Sequence, residues 1–327
     1  MSKSTTEGGQ RRLVRNFDMQ KAVPYITLLV LVVILSLYNE HFLQLSTFQN
    51  LLQSQAATGI VAIGAMCVII TGGIDFTTGY GLATASVTAG VLYVRSGNNA
   101  AVLLLAGVAV GLLIGLCNGL LITKWKLPPF IATFAMMSVL QGMALLISEG
   151  RQYLITDKAA LWVGQGYIFG VIPVPFVIFL AMCAAGYLLL NRTKMGVYIY
   201  AMGGNEEAAV YAGVKVNRYK LLVYVFAGFC TGVASVITTT RIALISASVS
   251  GDILMDAISA VVIGGTSVSG GKGAISGTIA GVLIMGLISA ALTYLNVDTL
   301  LRNVVKGVVI ILALLLDFAM NKNRSAA

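Results

Sequence analysis

The sequence predicts an all-α polytopic membrane protein of about ten transmembrane helices with both termini cytoplasmic, and three observations lead there. Hydrophobic residues make up 58% of the 327 positions and charged residues 10%, which leaves too little polar surface to coat a water-soluble globule of this size. Apolar runs close to the roughly 20 residues that a helix needs to cross a bilayer recur along the whole chain. Basic residues gather in alternate connections between those runs, as the positive-inside rule requires.

The runs are, in order, 23–38, 51–71, 79–94, 100–122, 129–148, 171–190, 221–240, 253–264, 274–295 and 304–320. The run at 253–264 is short for a full span and reads as a tilted or partly inserted helix. Lys3, Arg11, Arg12, Arg15 and Lys21 precede the first run in the manner of a secretory signal, but no small-residue cleavage site follows in 38–42. An uncleaved first span is therefore expected. This divides the chain into a cytoplasmic tail over 1–22, a transmembrane domain over 23–320 and a second cytoplasmic tail over 321–327.

With the N-terminus inside, Lys124, Lys126, Arg192, Lys194, Lys215, Arg218, Lys220, Lys272, Lys322 and Arg324 all fall on the cytoplasmic side. The opposite side receives Arg95, Arg151, Lys158, Arg241 and Arg302, and Lys306 lies close enough to a helix end to snorkel. Orientation thus accounts for the net charge of +9 without any nucleic-acid partner. Cys67, Cys117, Cys183 and Cys230 each sit in an apolar run without CxxC spacing and read as small buried hydrophobes. The single histidine, His41, cannot build a metal site alone.

Two connections are long: 149–170 outside and 191–220 inside. Within the fourth run Gly111, Gly115 and Gly119 recur every fourth residue, a seam that lets another helix backbone approach closely. Glycine also marks a candidate internal repeat. One constant offset lays Gly72, Gly73, Gly79 and Gly81 on Gly264, Gly265, Gly271 and Gly273, and Ala-Gly-Val-Leu follows one register later in both copies. Both segments fall at cytoplasmic span ends, which suits a parallel repeat of two halves. Backbone broken by glycine at membrane depth needs a protein- or water-lined cavity, so Gly72, Gly73, Asp75, Thr77, Gly264, Gly265 and Thr266 are candidate pathway residues. A glycine-rich turn between antiparallel helices is the alternative reading.

Gly265 to Lys272 imitates a phosphate loop, but it carries an extra residue before Gly271-Lys272, and Gly273 stands where a magnesium-binding serine or threonine belongs. No nucleotide cofactor is expected in this chain. In the inner connection, Gly203-Gly204-Asn205-Glu206-Glu207-Ala208-Ala209-Val210-Tyr211-Ala212-Gly213 predicts a short helix. Asn205 caps it, Glu206 and Glu207 suit its positive end, and Gly213 supplies a left-handed stop. Such a helix is marginal alone and persists only when anchored and packed. Ala208, Ala209 and Ala212 offer a face small enough to enter a groove; an ordinary solvated loop helix is the alternative.

Glu207-Ala208-Ala209, three residues, then Gly213 resembles the coupling motif of bacterial importer permeases, in which a cytoplasmic helix enters a cleft of the ATP-binding cassette subunit. Gly72-Gly73-Ile74-Asp75, Gly115-Leu-Cys-Asn-Gly119 with Leu127-Pro-Pro-Phe-Ile-Ala-Thr133, Gly203-Gly204-Asn205 and Ile263-Gly-Gly-Thr-Ser-Val-Ser-Gly-Gly271 resemble, in order and spacing, the ribose-type permeases of the sugar branch of these importers. The likeness runs from Gly59 to Met320. It implies an inner-membrane permease paired with a second permease copy, an ABC ATPase that binds ATP and magnesium, and a periplasmic sugar-binding protein. On that model movement of the helix at 203–213 tilts the spans for alternating access. Phe76-Thr77-Thr78 with Tyr80 replaces the smaller residues often found after Gly-Gly-Ile-Asp, and the Leu-Pro ending of the broader coupling motif is missing after Lys220.

The rival class is an ion-coupled secondary transporter, which uses broken helices equally well. Such proteins bury titratable groups deep in the membrane, whereas Asp75, Asp252, Asp256 and Asp298 fall near span ends. No histidine cluster, HExxH or paired carboxylates suggest an enzyme.

Overall fold

The computed structural model describes residues 19–38, 40, 42–248, 252–298, 301–309, 311–312 and 315. His41, residues 1–18 of the first tail, the second tail and eight residues of the tenth run lie outside them.

The helices follow the apolar runs closely: α1 Met19–Tyr38, α2 Leu45–Ile70, α3 Thr78–Arg95, α4 Ala100–Thr123 and α5 Pro129–Ser148. The long connection after α5 holds strand β1 Tyr153–Leu154, α6 Lys158–Gln165 and β2 Tyr167–Ile168, and β3 Ile172–Pro173 leads into α7 Val174–Arg192. Then come α8 Lys194–Gly204, α9 Glu206–Tyr211, α10 Val216–Ile242, β4 Leu244–Ile245, α11 Ile253–Ile263 and α12 Ile275–Tyr294. Helical residues continue over 301–309. Among the described residues α2, α4, α5, α7, α10 and α12 are long and apolar enough to cross a membrane, and 23–38 of α1 and α11 are shorter apolar helices. The protein is thus a multi-pass helical membrane protein.

Burial is distributed as a bilayer dictates. The apolar stretch of α2 is 89% buried inside the protein, against 28% for α4 and 22% for α5, so α2 forms the centre of the bundle and α4 and α5 its rim. α2 packs against α7, α8, α10, α11 and α12, and α10 bridges it to α3 and α4. Gly111 and Gly115 of α4 meet α10 backbone to backbone: a Cβ on Gly115 would lie 2.3 Å from the Tyr224 carbonyl oxygen, and one on Gly111 2.5 Å from that of Gly228. Gly119 of the same seam faces Leu221. Three cysteines are buried as the sequence suggests, but Cys117 is exposed, because on α4 it lies off the glycine face that meets α10.

One end of the bundle is tied by short polar links. β1 pairs antiparallel with β4, Tyr153 opposite Ile245, and β2 with β3. Gln53 of α2 donates to the Gly164 carbonyl at 2.9 Å, Gln49 to that of Val171 at 2.8 Å, and Gln165 to that of Arg241 at 3.0 Å. Those amides extend α2 back to Leu45, beyond the start its hydropathy suggests. Lys306, expected to snorkel, instead makes an ion pair with Asp256 at 2.9 Å between 301–309 and α11.

Candidate functional site

At the other end of α2, three glycine segments converge beneath α8. The α2 helix closes with Gly72 N–H on the Ile69 carbonyl (2.9 Å) and Gly73 N–H on Val68 (3.2 Å), Gly72 lying at φ 78°. The α11 helix closes with the same backbone arrangement: Gly265 N–H on Val262 (2.9 Å), Thr266 N–H on Val261 (3.2 Å) and Gly265 at φ 84°. The two turns are structural counterparts at one end of the molecule, but Gly72 matches Gly265 and Gly73 matches Thr266. The sequence offset, which laid Gly72 on Gly264, is one residue short, because glycine identity alone does not mark which residue adopts the left-handed conformation.

Gly203, near the end of α8, locks them together. A Cβ there would fall 1.7 Å from the Ile70 carbonyl oxygen and 2.6 Å from Gly271 N, and Gly271 N–H itself bonds that carbonyl at 2.9 Å. Tyr200 hydroxyl donates to the Gly273 carbonyl at 2.8 Å. Only a residue without a side chain permits three backbones to meet here. Gly204, by contrast, has open space around it.

The helix α9 follows at once. Asn205 is extended at φ −157° and its side chain accepts from Ala208 N–H at 2.9 Å. Glu206 and Glu207 occupy the first turn, and Glu206 receives Lys220 at 2.6 Å. Gly213, at φ 81°, lets Val214 N–H return to the Ala209 carbonyl at 3.0 Å. Ala209 is 4% exposed and packs into the protein's own core, so it anchors the helix instead of sharing the outward face. That face consists of Glu207, Ala208, Val210, Tyr211 (90% exposed) and Ala212.

The turn from 71 to 77 carries a buried polar network. Asp75 Oδ1 accepts from Thr77 N–H at 2.9 Å and from the Thr77 hydroxyl at 2.5 Å, and Asn118 Nδ2 of α4 donates to Thr77 Oγ1 at 2.8 Å. Thr133 of α5 donates to the Ile74 carbonyl at 3.0 Å. Asp75 is 5% and Thr77 1% exposed; their side chains hold the turn at the start of α3, where a carboxylate suits the exposed N–H groups. Of the candidate pathway residues, Gly72 and Gly265 are exposed with no atoms near a notional Cβ, while Gly73, Gly264 and Thr266 are buried. Phe76 projects from the same turn onto Phe130 and Phe134 of α5, with centroids 5.3 and 6.3 Å away.

Neither the role of Tyr200 nor the bond from Asn118 to Thr77 follows from the sequence motifs. An amide inside the apolar α4 run was the available signal, since polar side chains in spans seek partners within the protein. For Tyr200 there was none, because its partner is a backbone carbonyl 73 residues away.

The family described as the permease component of the branched-chain amino acid transport system matches residues 47–314. The chain is 41% identical over 310 residues to the ribose import permease protein of Bacillus subtilis, covering 94% of this chain and 96% of that one. It is 37% identical over 317 residues to its Escherichia coli K12 namesake (95% and 98%) and 35% over 298 residues to the L-arabinose ABC transporter permease protein of Azospirillum brasilense (91% and 87%). No solved structure gives a significant match. A permease model spanning most of the helical bundle, with relatives aligned nearly end to end, means that the chain belongs to the permease family of branched-chain amino acid transport systems.

Proposed function

We propose that this protein is the membrane permease of an ATP-binding cassette importer for ribose or a similar sugar in the bacterial inner membrane. Ten spans, with both termini cytoplasmic, place α8, α9 and the glycine turns on the cytoplasmic face. The partners are an ABC ATPase, which carries ATP and magnesium, a periplasmic sugar-binding protein and a second permease copy. The relatives named above supply the substrate class.

The observation that carries the reading is the joint at Gly203. The helix α9 presents a capped outer face of Glu207, Ala208, Val210, Tyr211 and Ala212, yet its first residue lies only three positions from a three-way backbone contact with the ends of α2 and of the 264–273 turn. A partner that displaces α9 therefore displaces both turns together, and these control the ends of α2, α3, α11 and α12. Nucleotide-driven closure of an ATPase dimer is a source of such displacement, and alternating access is its consequence. Asp75 and Thr77 set the position of the α3 end in this scheme and gate the pathway through Phe76.

The test is uptake by proteoliposomes that contain the permease, its ATPase and its binding protein. Ribose accumulation is expected to follow ATP inside the vesicle and to survive collapse of the proton gradient at constant ATP. Accumulation by the permease alone, or its loss with the gradient, would establish the ion-coupled class instead.

A further inference from the structure

The outward face of α5 is used neither by the glycine joint nor by the α4–α10 seam. Phe130, Phe134, Ser138, Gln141 and Leu145 recur at helical spacing along it, and all are exposed. Ala132, Thr133, Leu140, Ala144 and Ser148 are buried on the packed face. Gln141 lies in the interior of this 20-residue span, and no hydrogen bond reaches its amide from the described residues. A primary amide facing hydrocarbon is strongly unfavourable, so this face does not meet lipid.

Two turns toward the start of α5, about 10 Å along the axis, stands an aromatic wall, with Ser138 between, its hydroxyl 3.5 Å from the Phe134 carbonyl oxygen. Phe130 and Phe134 stack at 6.1 Å with planes 6° apart, and Phe76 meets both edge-on. Phe76 belongs to the turn that Asp75 and Thr133 hold, so the wall is attached to the moving joint. A hydroxyl one turn and an amide two turns from aromatic rings suit the passage of a sugar, whose C–H faces lie on the rings and whose hydroxyls pair with the polar groups in turn.

We propose that this face of α5 lines the solute pathway, with Gln141 and Ser138 as a hydrogen-bonding rung for a polyhydroxylated solute and Phe76, Phe130 and Phe134 as an aromatic constriction beside it. This rests on the importer reading above and names the residues that the sugar touches.

In the complete transporter, Gln141→Cys and Val139→Cys are each made in a Cys117→Ala background and treated with membrane-impermeant 2-sulfonatoethyl methanethiosulfonate. Val139 is exposed about 200° around the helix from Gln141. Expected is labelling at least about tenfold faster at position 141, slowed by ribose, and an approximately fivefold loss of uptake in Gln141→Leu, as loss of one hydrogen bond predicts, that Gln141→Asn partly restores. Equal, slow labelling at both positions in every nucleotide state overturns the proposal. So does disulfide formation between the two copies of the Gln141→Cys variant without reagent access, which makes position 141 a contact between permeases. Full uptake by Gln141→Leu overturns the rung. If the unsubstituted transporter moves sugar with ATP while position 141 stays unreactive, only this inference falls; if it moves none, the importer reading falls first.

Discussion

Replacing Gly203 with alanine is the sharpest probe of the joint. Its Cβ would lie 1.7 Å from the Ile70 carbonyl oxygen, so α8 and the end of α2 must part by about 1.6 Å to reach an ordinary C···O contact of roughly 3.3 Å. Overpacking of this kind costs about 1–3 kcal/mol, and the Gly271 N–H bond to the same carbonyl, worth about 1 kcal/mol, is lost with it. A destabilisation of about 2–4 kcal/mol is therefore expected. Gly204→Ala is the internal control: its Cβ meets nothing within 4 Å, and at a helix end alanine gains up to about 1 kcal/mol over glycine. Thermal unfolding of the purified variants in detergent gives stability, and ATP-driven ribose uptake gives coupling. Gly203→Ala is expected to melt lower and to transport less than Gly204→Ala. If the two variants melt and transport alike, the three backbones do not meet as described and the coupling route is wrong.

Four further outcomes follow from the same packing. Gly115→Leu drives a side chain into the Tyr224 carbonyl and should lower stability by about 1–3 kcal/mol or more; a wild-type melting curve would remove the α4–α10 seam. Asp75→Ala leaves the N–H and hydroxyl of Thr77 without their acceptor, so a loss of about 1–3 kcal/mol is expected, with Asp75→Asn milder, both read by melting. Lys306→Met strands the Asp256 carboxylate and should destabilise more than Lys306→Met combined with Asp256→Leu; additive effects in that double-mutant cycle would deny the ion pair. Asn205→Ala removes the α9 cap at a cost of about 0.5–2 kcal/mol, and uptake should fall while the melting curve hardly moves, since α9 frays locally.

Apolar runs of span length located most of the membrane helices, because a helix in lipid must satisfy its own backbone and coat itself with apolar side chains. The α9 cap and stop were equally legible, since Asn205 and Gly213 act on residues three and four positions away. The helix α8 was not. Met195-Gly-Val-Tyr-Ile-Tyr-Ala-Met-Gly-Gly204 is rich in glycine, β-branched and aromatic residues of modest helix propensity. It forms because Thr193 caps it and Ile199 and Met202 are buried in the core. The inward orientation of Ala209 and the one-residue shift in the repeat were hidden for a related reason: both are set by which backbone groups meet across the fold, not by composition. So is the bond from Asn118 to Thr77, 41 residues apart.

The 26 residues of α2 make a rod about 39 Å long, gripped at Gln49 and Gln53 by one face of the protein and at Ile70 by the other. Surrounded by neighbours from Ala56 to Ile70, it has little room to bend there and tilts or slides as a piece. On the importer reading proposed above, a push at the Ile70 end is carried along this rod to the Gln49 end, so that partners docked at the two ends sense each other's occupancy.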